Sequence, residues 1–122
     1  MSGARGWLIV AAVLGASGVA FGAGGAHGLR SLMAPEYVQT FETGVRYHLL
    51  HAVAVLSLAL AAEHRRVAVP AALMTLGTLL FSGSLYALAL GAPSRLGIAT
   101  PIGGVALLLG WLALIRLAFA RR

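Results

Sequence analysis

Residues 67–90 form the stretch VAVPAALMTLGTLLFSGSLYALAL, which contains no charged side chain. A helix needs about 20 apolar residues to cross the ~30 Å hydrocarbon core of a bilayer. Three further stretches, residues 7–26, 45–62 and 98–119, have a comparable length and composition. We therefore predict an all-α integral membrane protein, a four-helix bundle with short loops that forms a single domain over residues 1–122.

The overall composition supports this class. Hydrophobic residues make up 60% of the chain and charged residues only 10%, far from the balance of a soluble domain. The absence of cysteine excludes disulfides, iron–sulfur clusters and thiol nucleophiles. The net charge of +6 comes from arginines near the helix ends, which form no basic face, so we expect a lipid bilayer as the partner and no nucleic acid.

The distribution of arginine predicts an orientation. Both termini and the turn at residues 63–66 together carry six arginines, and the other two loops carry three. The larger group is Arg5, Arg65, Arg66, Arg116, Arg121 and Arg122, and the smaller group is Arg30, Arg46 and Arg95. The positive-inside rule then predicts a multi-pass protein of the plasma (inner) membrane with both termini in the cytoplasm.

Glycine stripes predict close helix packing. The spacing places each stripe along one helix face, where small residues let backbones approach in lipid. The stripes contain Gly15, Gly18 and Gly22 in the first span, Gly77 in the third, and Gly103 and Gly110 in the fourth. Packing within one chain and contact in a homo-oligomer both fit this pattern, and protein partners cannot be identified from it.

The loops carry local signals. Pro35 can start a short interfacial helix in the first loop, and Glu42 and Arg46, four residues apart, can form an ion pair. Gly91 followed by Pro93 predicts the end of the third helix. Thr100-Pro101 predicts the start of the fourth, with Thr100 as the N-cap.

Polar residues concentrate toward the non-cytoplasmic ends of the predicted spans. The cluster comprises His27, Arg46, Tyr47, His48, His51, Ser82, Ser84, Tyr86 and Thr100. Polar groups at membrane depth are costly and are expected to face the bundle interior. His51, about 10 Å deep by helical rise, is the histidine most in need of a hydrogen-bond partner.

Three interpretations of this cluster stay open at this point. It can be a structural hydrogen-bond network, a pocket for a proton or small ligand in a transport or binding protein, or a metal or haem site that uses His27, His48 and His51. The Glu-x-x-His repeats of di-iron bundles are absent. We therefore predict no cofactor and no metal.

Enzymatic activity is not expected. The chain has no Asp to orient a histidine, and its three Glu lie outside the apolar spans. Ser82-Gly83-Ser84 lacks the Gly-x-Ser-x-Gly turn of hydrolases. We predict a small structural or accessory membrane protein that has no catalytic residue.

Four motifs resemble those of a known family. They are GAGGAHGL at residues 22–29 beside the family's GAFGAHGL, TGVRYHLLHA at 43–52 beside TGVQYxxYHA, LFSGSLY at 80–86, and TPIGG at 100–104 followed by GW at 110–111. The family is domain of unknown function 423, small bacterial inner-membrane proteins whose eukaryotic relatives include transmembrane protein 256. The resemblance implies a four-helix plasma-membrane protein and implies no reaction.

The chain departs from the family pattern at two positions of the second motif. Arg46 stands where the pattern has Gln, and Leu50 stands where it has Tyr. If those two residues belong to a hydrogen-bond network in relatives, that network is altered here.

Overall fold

The computed structural model describes residues 2–119, and in that range it contains helices and no strand. The four long helices are α1 (Ser2–His27), α2 (Pro35–Ala61), α3 (Ala68–Ala89) and α4 (Ala99–Phe119). Short 3₁₀ helices occupy Leu29–Leu32 and Ser94–Ile98. All four long helices have the length and apolar composition to cross a membrane, so the predicted fold class is confirmed.

Outward-facing side chains agree with a lipid environment. Large aliphatic residues are exposed on every helix, among them Val13 on α1, Leu60 on α2, Leu79 on α3 and Leu108 on α4. In water this much exposed apolar surface would cause aggregation, whereas lipid tails solvate it. The chain is thus a multi-pass membrane protein.

The start of α2 differs from the sequence-based expectation. Pro35 begins α2 itself, and no separate interfacial helix precedes the second span. No proline interrupts residues 36–61, and Gly44 is buried against the Tyr86 ring, where a smooth helix surface is required. The helix therefore continues from the loop into the membrane, and its membrane-crossing part starts later than its first residue.

Of the two helix ends around the third loop, the end of α3 agrees with its sequence-based prediction, whereas the predicted N-cap of α4 does not. Gly91 has φ 105°, and the N–H groups of Gly91 and Ala92 donate to the carbonyls of Leu88 and Ala87. This is the Schellman arrangement, and it confirms the predicted stop. Thr100 lies inside the first turn of α4, and its hydroxyl is paired with that of Ser84, so the predicted N-cap role is wrong.

We name the two ends of the bundle by their loops. The loop-1 end contains residues 28–34 and 90–98, and the loop-2 end contains residues 62–67, the start of α1 and the end of α4. At the loop-2 end the Arg65 guanidinium donates to the Leu117 carbonyl at 3.0 Å, which satisfies one of the free carbonyls in the last turn of α4. Arg121 and Arg122, used in the charge count, lie outside the described residues.

Close contacts between α1 and α2 follow one stripe of α1. Its members lie so near α2 that an added Cβ would touch a side chain: Gly18 against Leu49, Gly22 against Val45 and Gly25 against Phe41. The expectation for Gly15 is not met, since a Cβ there would have no neighbouring atom within 4 Å. The buried stripe passes through Ala11, Leu14 and Gly18, and Gly15 lies 100° around the helix from Leu14.

Between α3 and α4 the backbones themselves meet. A Cβ on Gly103 would overlap the backbone nitrogen of Phe81 and lie 2.9 Å from the Gly77 carbonyl oxygen. A Cβ on Gly77 would lie 2.9 Å from the Leu107 nitrogen. One turn further along, Gly110 receives the Met74 side chain. Here van der Waals contact between backbones replaces the hydrophobic drive that is absent in lipid.

Apolar side chains form two buried clusters, one near each end. The loop-2 cluster comprises Ala11, Leu14, Ala52, Val55, Leu58, Val67, Ala71 and Met74. The loop-1 cluster comprises Met33, Phe41, Tyr86 and Ala89. The buried polar residues of α2 and α3 lie between these clusters, so the fold places its polar groups away from both ends of the core.

The contact at Gly103 gives a testable prediction. Gly103→Ala inserts a methyl group against immobile backbone and is expected to reduce the free energy of unfolding by about 1–3 kcal/mol. The measurement is reversible unfolding in mixed detergent micelles.

Gly104→Ala is the matched control. Its Cβ would meet the Phe81 ring at 3.7 Å, an ordinary contact distance, so stability should be unchanged or slightly raised by the better helix propensity of alanine. Equal effects of the two substitutions would contradict the backbone contact.

Candidate functional site

Interhelical hydrogen bonds join all four helices through a set of mainly buried polar side chains. We call this set the polar clasp: Ser17 on α1, His48 and His51 on α2, Ser82, Ser84 and Tyr86 on α3, and Thr100 and Trp111 on α4. The two histidines are only 5% and 2% exposed. The clasp is the candidate site, because it contains both buried histidines and the buried Tyr86, whereas the buried Thr78 hydroxyl bonds only within its own helix.

His48 links three helices through both ring nitrogens. Its Nε2 lies 3.0 Å from Ser17 Oγ on α1, and its Nδ1 lies 2.8 Å from the Tyr86 hydroxyl on α3. Ser17 in turn donates to the Val13 carbonyl at 2.7 Å, one turn back in its own helix. The result is a continuous chain of bonds across the bundle.

The proton positions along this chain follow from its acceptors. Since the Ser17 proton goes to Val13, His48 Nε2–H donates to Ser17 Oγ. The neutral imidazole then has an acceptor at Nδ1, which takes the Tyr86 O–H. The opposite tautomer would leave the Tyr86 proton without an acceptor among the described residues, a costly state in a buried site.

His51 has its tautomer fixed by Trp111. The indole Nε1–H can only donate, and it lies 3.0 Å from His51 Nε2, which must therefore be unprotonated. The Nδ1–H then donates to the Tyr47 carbonyl at 2.8 Å. A neutral His51 is fully satisfied, whereas an imidazolium could not accept the tryptophan bond.

The depth of this pair in the bilayer can also be counted from the loop-2 end of α2. His51 lies 10 residues before Ala61, which at ~1.5 Å per residue is about 15 Å from the loop-2 end of α2. With a ~30 Å hydrocarbon core, that distance places the histidine near the middle of the bilayer. The predicted depth of about 10 Å came from the same rise counted from residue 45 at the other end of the span, so the two values differ in the helix end that is taken as the boundary.

Two serines complete the links that α3 makes. Ser82 donates to the Gly44 carbonyl of α2 at 2.7 Å. Ser84 donates to the Phe81 carbonyl and pairs with the Thr100 hydroxyl of α4. Among residues 2–119 no buried side-chain nitrogen or oxygen lacks a hydrogen-bond partner.

Aromatic rings surround the His48 link. The Phe21 ring stacks on Tyr86 at 4.4 Å between centroids, and the Phe41 ring packs against Tyr86 at 4.9 Å and against Phe21 at 6.2 Å. These contacts hold the phenol in position, so its hydroxyl reaches His48 with little conformational freedom.

Three residues of the predicted cluster lie outside the clasp. His27 and Arg46 are exposed, and Tyr47 is 38% exposed. Tyr47 accepts the His51 bond with its backbone carbonyl, and its ring contacts Phe81 and stacks beside the His51 ring. The structure therefore places these three side chains on the surface of the bundle and not in its interior.

The described residues contain no group of three His, Cys, Asp or Glu side chains that could bind a metal ion. His48 turns toward α1 and α3, His51 turns toward α4, and His27 is exposed at the end of α1. The three-histidine metal site considered from the sequence is thus not assembled, because residues three apart face different neighbours here.

Ser17 and Trp111 belong to the clasp but were not among the residues predicted from the sequence. Ser17 is the only polar side chain between Arg5 and His27, and Trp111 lies in mid-span, away from the boundary where tryptophan is usual. Both features are visible in the sequence, so these two residues could have been predicted from it. Gly44 could not be found in this way, since it acts through its backbone carbonyl.

Two surface grooves reach the clasp from the sides. One groove of about 400 Å³, between α1 and α3, is lined by Ser17, His48 and Tyr86 among others. A second groove of about 500 Å³, between α2 and α4, is lined by Tyr47, His51 and Trp111 among others. Their remaining lining is almost entirely apolar.

Comparison with known proteins identifies the family of this chain. The model of the family described as protein of unknown function (DUF423) matches residues 21–104. The UPF0382 membrane protein YwdK of Bacillus subtilis is 38% identical over 89% of this chain and 92% of its own. The UPF0382 inner membrane protein YgdD of Escherichia coli is 43% identical over 85% of this chain and 82% of its own.

A third relative, a UPF0382 membrane protein of Haemophilus influenzae, is 39% identical over 88% of this chain and 89% of its own. No solved structure matches the chain. The family match covers every clasp residue except Ser17 and Trp111, and the sequence-based resemblance is confirmed. This chain belongs to the DUF423 family of small bacterial membrane proteins.

Proposed function

We propose that this chain is a non-enzymatic structural or accessory protein of the inner (plasma) membrane, in which the polar clasp holds the four helices together. One observation carries the proposal. Among the described residues, every buried polar side-chain atom is already hydrogen-bonded within the chain, so none is left over for a ligand. In hydrocarbon, satisfied interhelical bonds contribute to stability and fix helix rotation.

The surroundings of the histidines support the non-enzymatic part of the proposal. Glu36, Glu42 and Glu63 are exposed, and none of them contacts His48 or His51. General acid–base catalysis needs a titratable group within reach of a substrate proton. Here both imidazoles are hydrogen-bonded at both nitrogens within the chain.

We further propose that the loop-2 end, with both termini, faces the cytoplasm. The arginine bias supports this orientation, and the Escherichia coli relative carries the name inner membrane protein. The lipid-facing surfaces of all four helices are uncovered, so they are available for contact with a second copy of the chain or with another membrane protein.

A second candidate is a ligand-binding role for the α1–α3 groove. Its wall includes the Ser17–His48–Tyr86 chain, which a lipid-soluble molecule with a hydrogen-bonding group could reach. Such a ligand would have to displace one of the existing bonds. For this reason the clasp is the better-supported function.

The first prediction concerns the His51–Trp111 bond. Trp111→Phe removes the donor and keeps most of the ring, and His51→Ala removes the acceptor. Because both delete one bond, their effects on the free energy of unfolding should be non-additive, with a coupling energy of about 0.5–1.5 kcal/mol. The measurement is a double-mutant cycle of detergent unfolding.

Trp7→Phe serves as the matched control, because Trp7 is the other tryptophan and packs at the loop-2 end without contacting His51. Combined with His51→Ala it should be additive. Additivity in the Trp111 cycle as well would refute the clasp.

The second prediction concerns bound groups. Protein extracted gently from its membrane should contain no stoichiometric metal and show no Soret absorbance, since both histidines are engaged within the chain. Metal analysis and a visible spectrum of the same sample measure this. A haem band or one equivalent of metal, lost in His48→Ala or His51→Ala, would replace the structural proposal by a redox one.

The third prediction concerns orientation. The chain has no native cysteine, so Glu63→Cys in loop 2 and Ser94→Cys in loop 3 each provide a single exposed thiol. A membrane-impermeant maleimide should label Ser94→Cys in intact cells and Glu63→Cys only after permeabilisation. The reverse pattern would invert the proposed topology.

A further inference from the structure

Arg46 is a charged residue on the lipid-facing side of a membrane span. The exposed stripe of α2, with alternating steps of four and three residues, contains Arg46, Leu50, Val53, Ser57 and Leu60. Apart from Arg46 and Ser57 these side chains are aliphatic. The stripe is therefore the surface that lipid tails cover, and a guanidinium there requires an explanation.

The depth of Arg46 places its side chain within reach of lipid phosphates. Arg46 lies 15 residues before Ala61, about 22 Å along α2 at ~1.5 Å per residue. Since the hydrocarbon core is ~30 Å thick, and if its loop-2 boundary lies at the end of α2, Ala61, the Arg46 backbone lies about 8 Å inside the other boundary. A long arginine side chain can snorkel across that distance to the headgroups.

No group of the described chain neutralises this charge. The expected partner, Glu42, lies instead beside Arg30, with Arg30 Nη1 3.8 Å from Glu42 Oε2, so the predicted Glu42–Arg46 pair is wrong. Among residues 2–119 the Arg46 guanidinium has neither a carboxylate nor a hydrogen-bond acceptor in contact. A cation at membrane depth needs an anion from elsewhere.

An apolar groove continues from this position toward the bilayer centre. The α2–α4 groove of about 500 Å³ begins beside Tyr47 and Pro101 and ends at Trp111. Leu50, one turn below Arg46 on the same stripe, is part of its wall. The Tyr47 hydroxyl, at the groove mouth, donates to no residue of the described chain.

We propose that the α2–α4 groove is a binding site for one phospholipid of the leaflet at the loop-1 end. The phosphate accepts charge-assisted hydrogen bonds from the Arg46 guanidinium, the Tyr47 hydroxyl donates to the headgroup region, and one acyl chain lies in the groove. Charge complementarity selects a phosphate-bearing lipid over a neutral one. This site is separate from the clasp and does not depend on its proposed structural role.

The exposure of Arg46 allows a test that leaves the core intact. Arg46→Gln removes the charge from an exposed side chain and keeps a polar group there. The variant is therefore expected to fold and unfold like the wild type. A loss of lipid binding in it would then report on the guanidinium alone.

The experiment is native mass spectrometry of the full chain in detergent, titrated with phosphatidylglycerol and, in parallel, with diacylglycerol of the same acyl chains. The wild type should retain one phosphatidylglycerol. Arg46→Gln should weaken this binding by about tenfold or more, and Arg46→Lys should restore part of it. Arg95→Gln, which removes another exposed arginine at the loop-1 end, is the matched control and should bind normally.

A second variant tests the groove itself. Val105 is 54% exposed and lines the groove from α4, so Val105→Phe fills the groove without entering the core and should also weaken phosphatidylglycerol binding. Equal binding by wild type and Arg46→Gln, or equal retention of diacylglycerol and phosphatidylglycerol, would overturn the proposal. So would a dimer that Val105→Phe dissociates, because a second copy of the chain would then occupy the groove.

Discussion

Hydrocarbon offers no hydrogen-bond partner, and this constraint organises the interior of the protein. Each polar group that a helix carries into the bilayer must find its partner on another helix or on its own backbone. The clasp meets that requirement with two histidines in opposite tautomers: His48 donates from Nε2 and His51 donates from Nδ1. Each ring accepts with its other nitrogen, so one residue type provides two different links at neighbouring positions of α2.

Glycine contacts and polar hydrogen bonds have different roles in the packing of the helices. Glycines let α1 approach α2 and let α3 approach α4, so the chain forms two tightly packed hairpins. Polar bonds then connect the hairpins, through His48 to Tyr86, through Ser82 to the Gly44 carbonyl and through His51 to Trp111. The hairpins alone have smooth faces that could slide or rotate, whereas directional bonds fix their register.

The sequence predicted the candidate site only in part. His48, His51, Ser82, Ser84, Tyr86 and Thr100 were recognised because a polar residue in an apolar span is conspicuous wherever it lies. His27 and Arg46 share that property but are exposed, since one is at a helix end and the other is on the lipid-facing stripe. Trp111 was overlooked because tryptophan counts as apolar in a hydropathy pattern, although its N–H donates to the most deeply placed histidine.

The sequence by itself determined the number of spans, the bounds of α3 and α4 and the stop of α3 at Gly91, because hydropathy, helical rise and the φ of glycine are local properties. Only the tertiary structure decided which partner each polar side chain meets. The partner of each side chain depends on the rotation of each helix about its axis and on the points where helices cross. Contacts between residues distant in the chain, such as Gly103 against the Phe81 backbone, set that rotation and those crossing points. The same rotation leaves Arg46 facing lipid and turns His48, two residues further on, into the core.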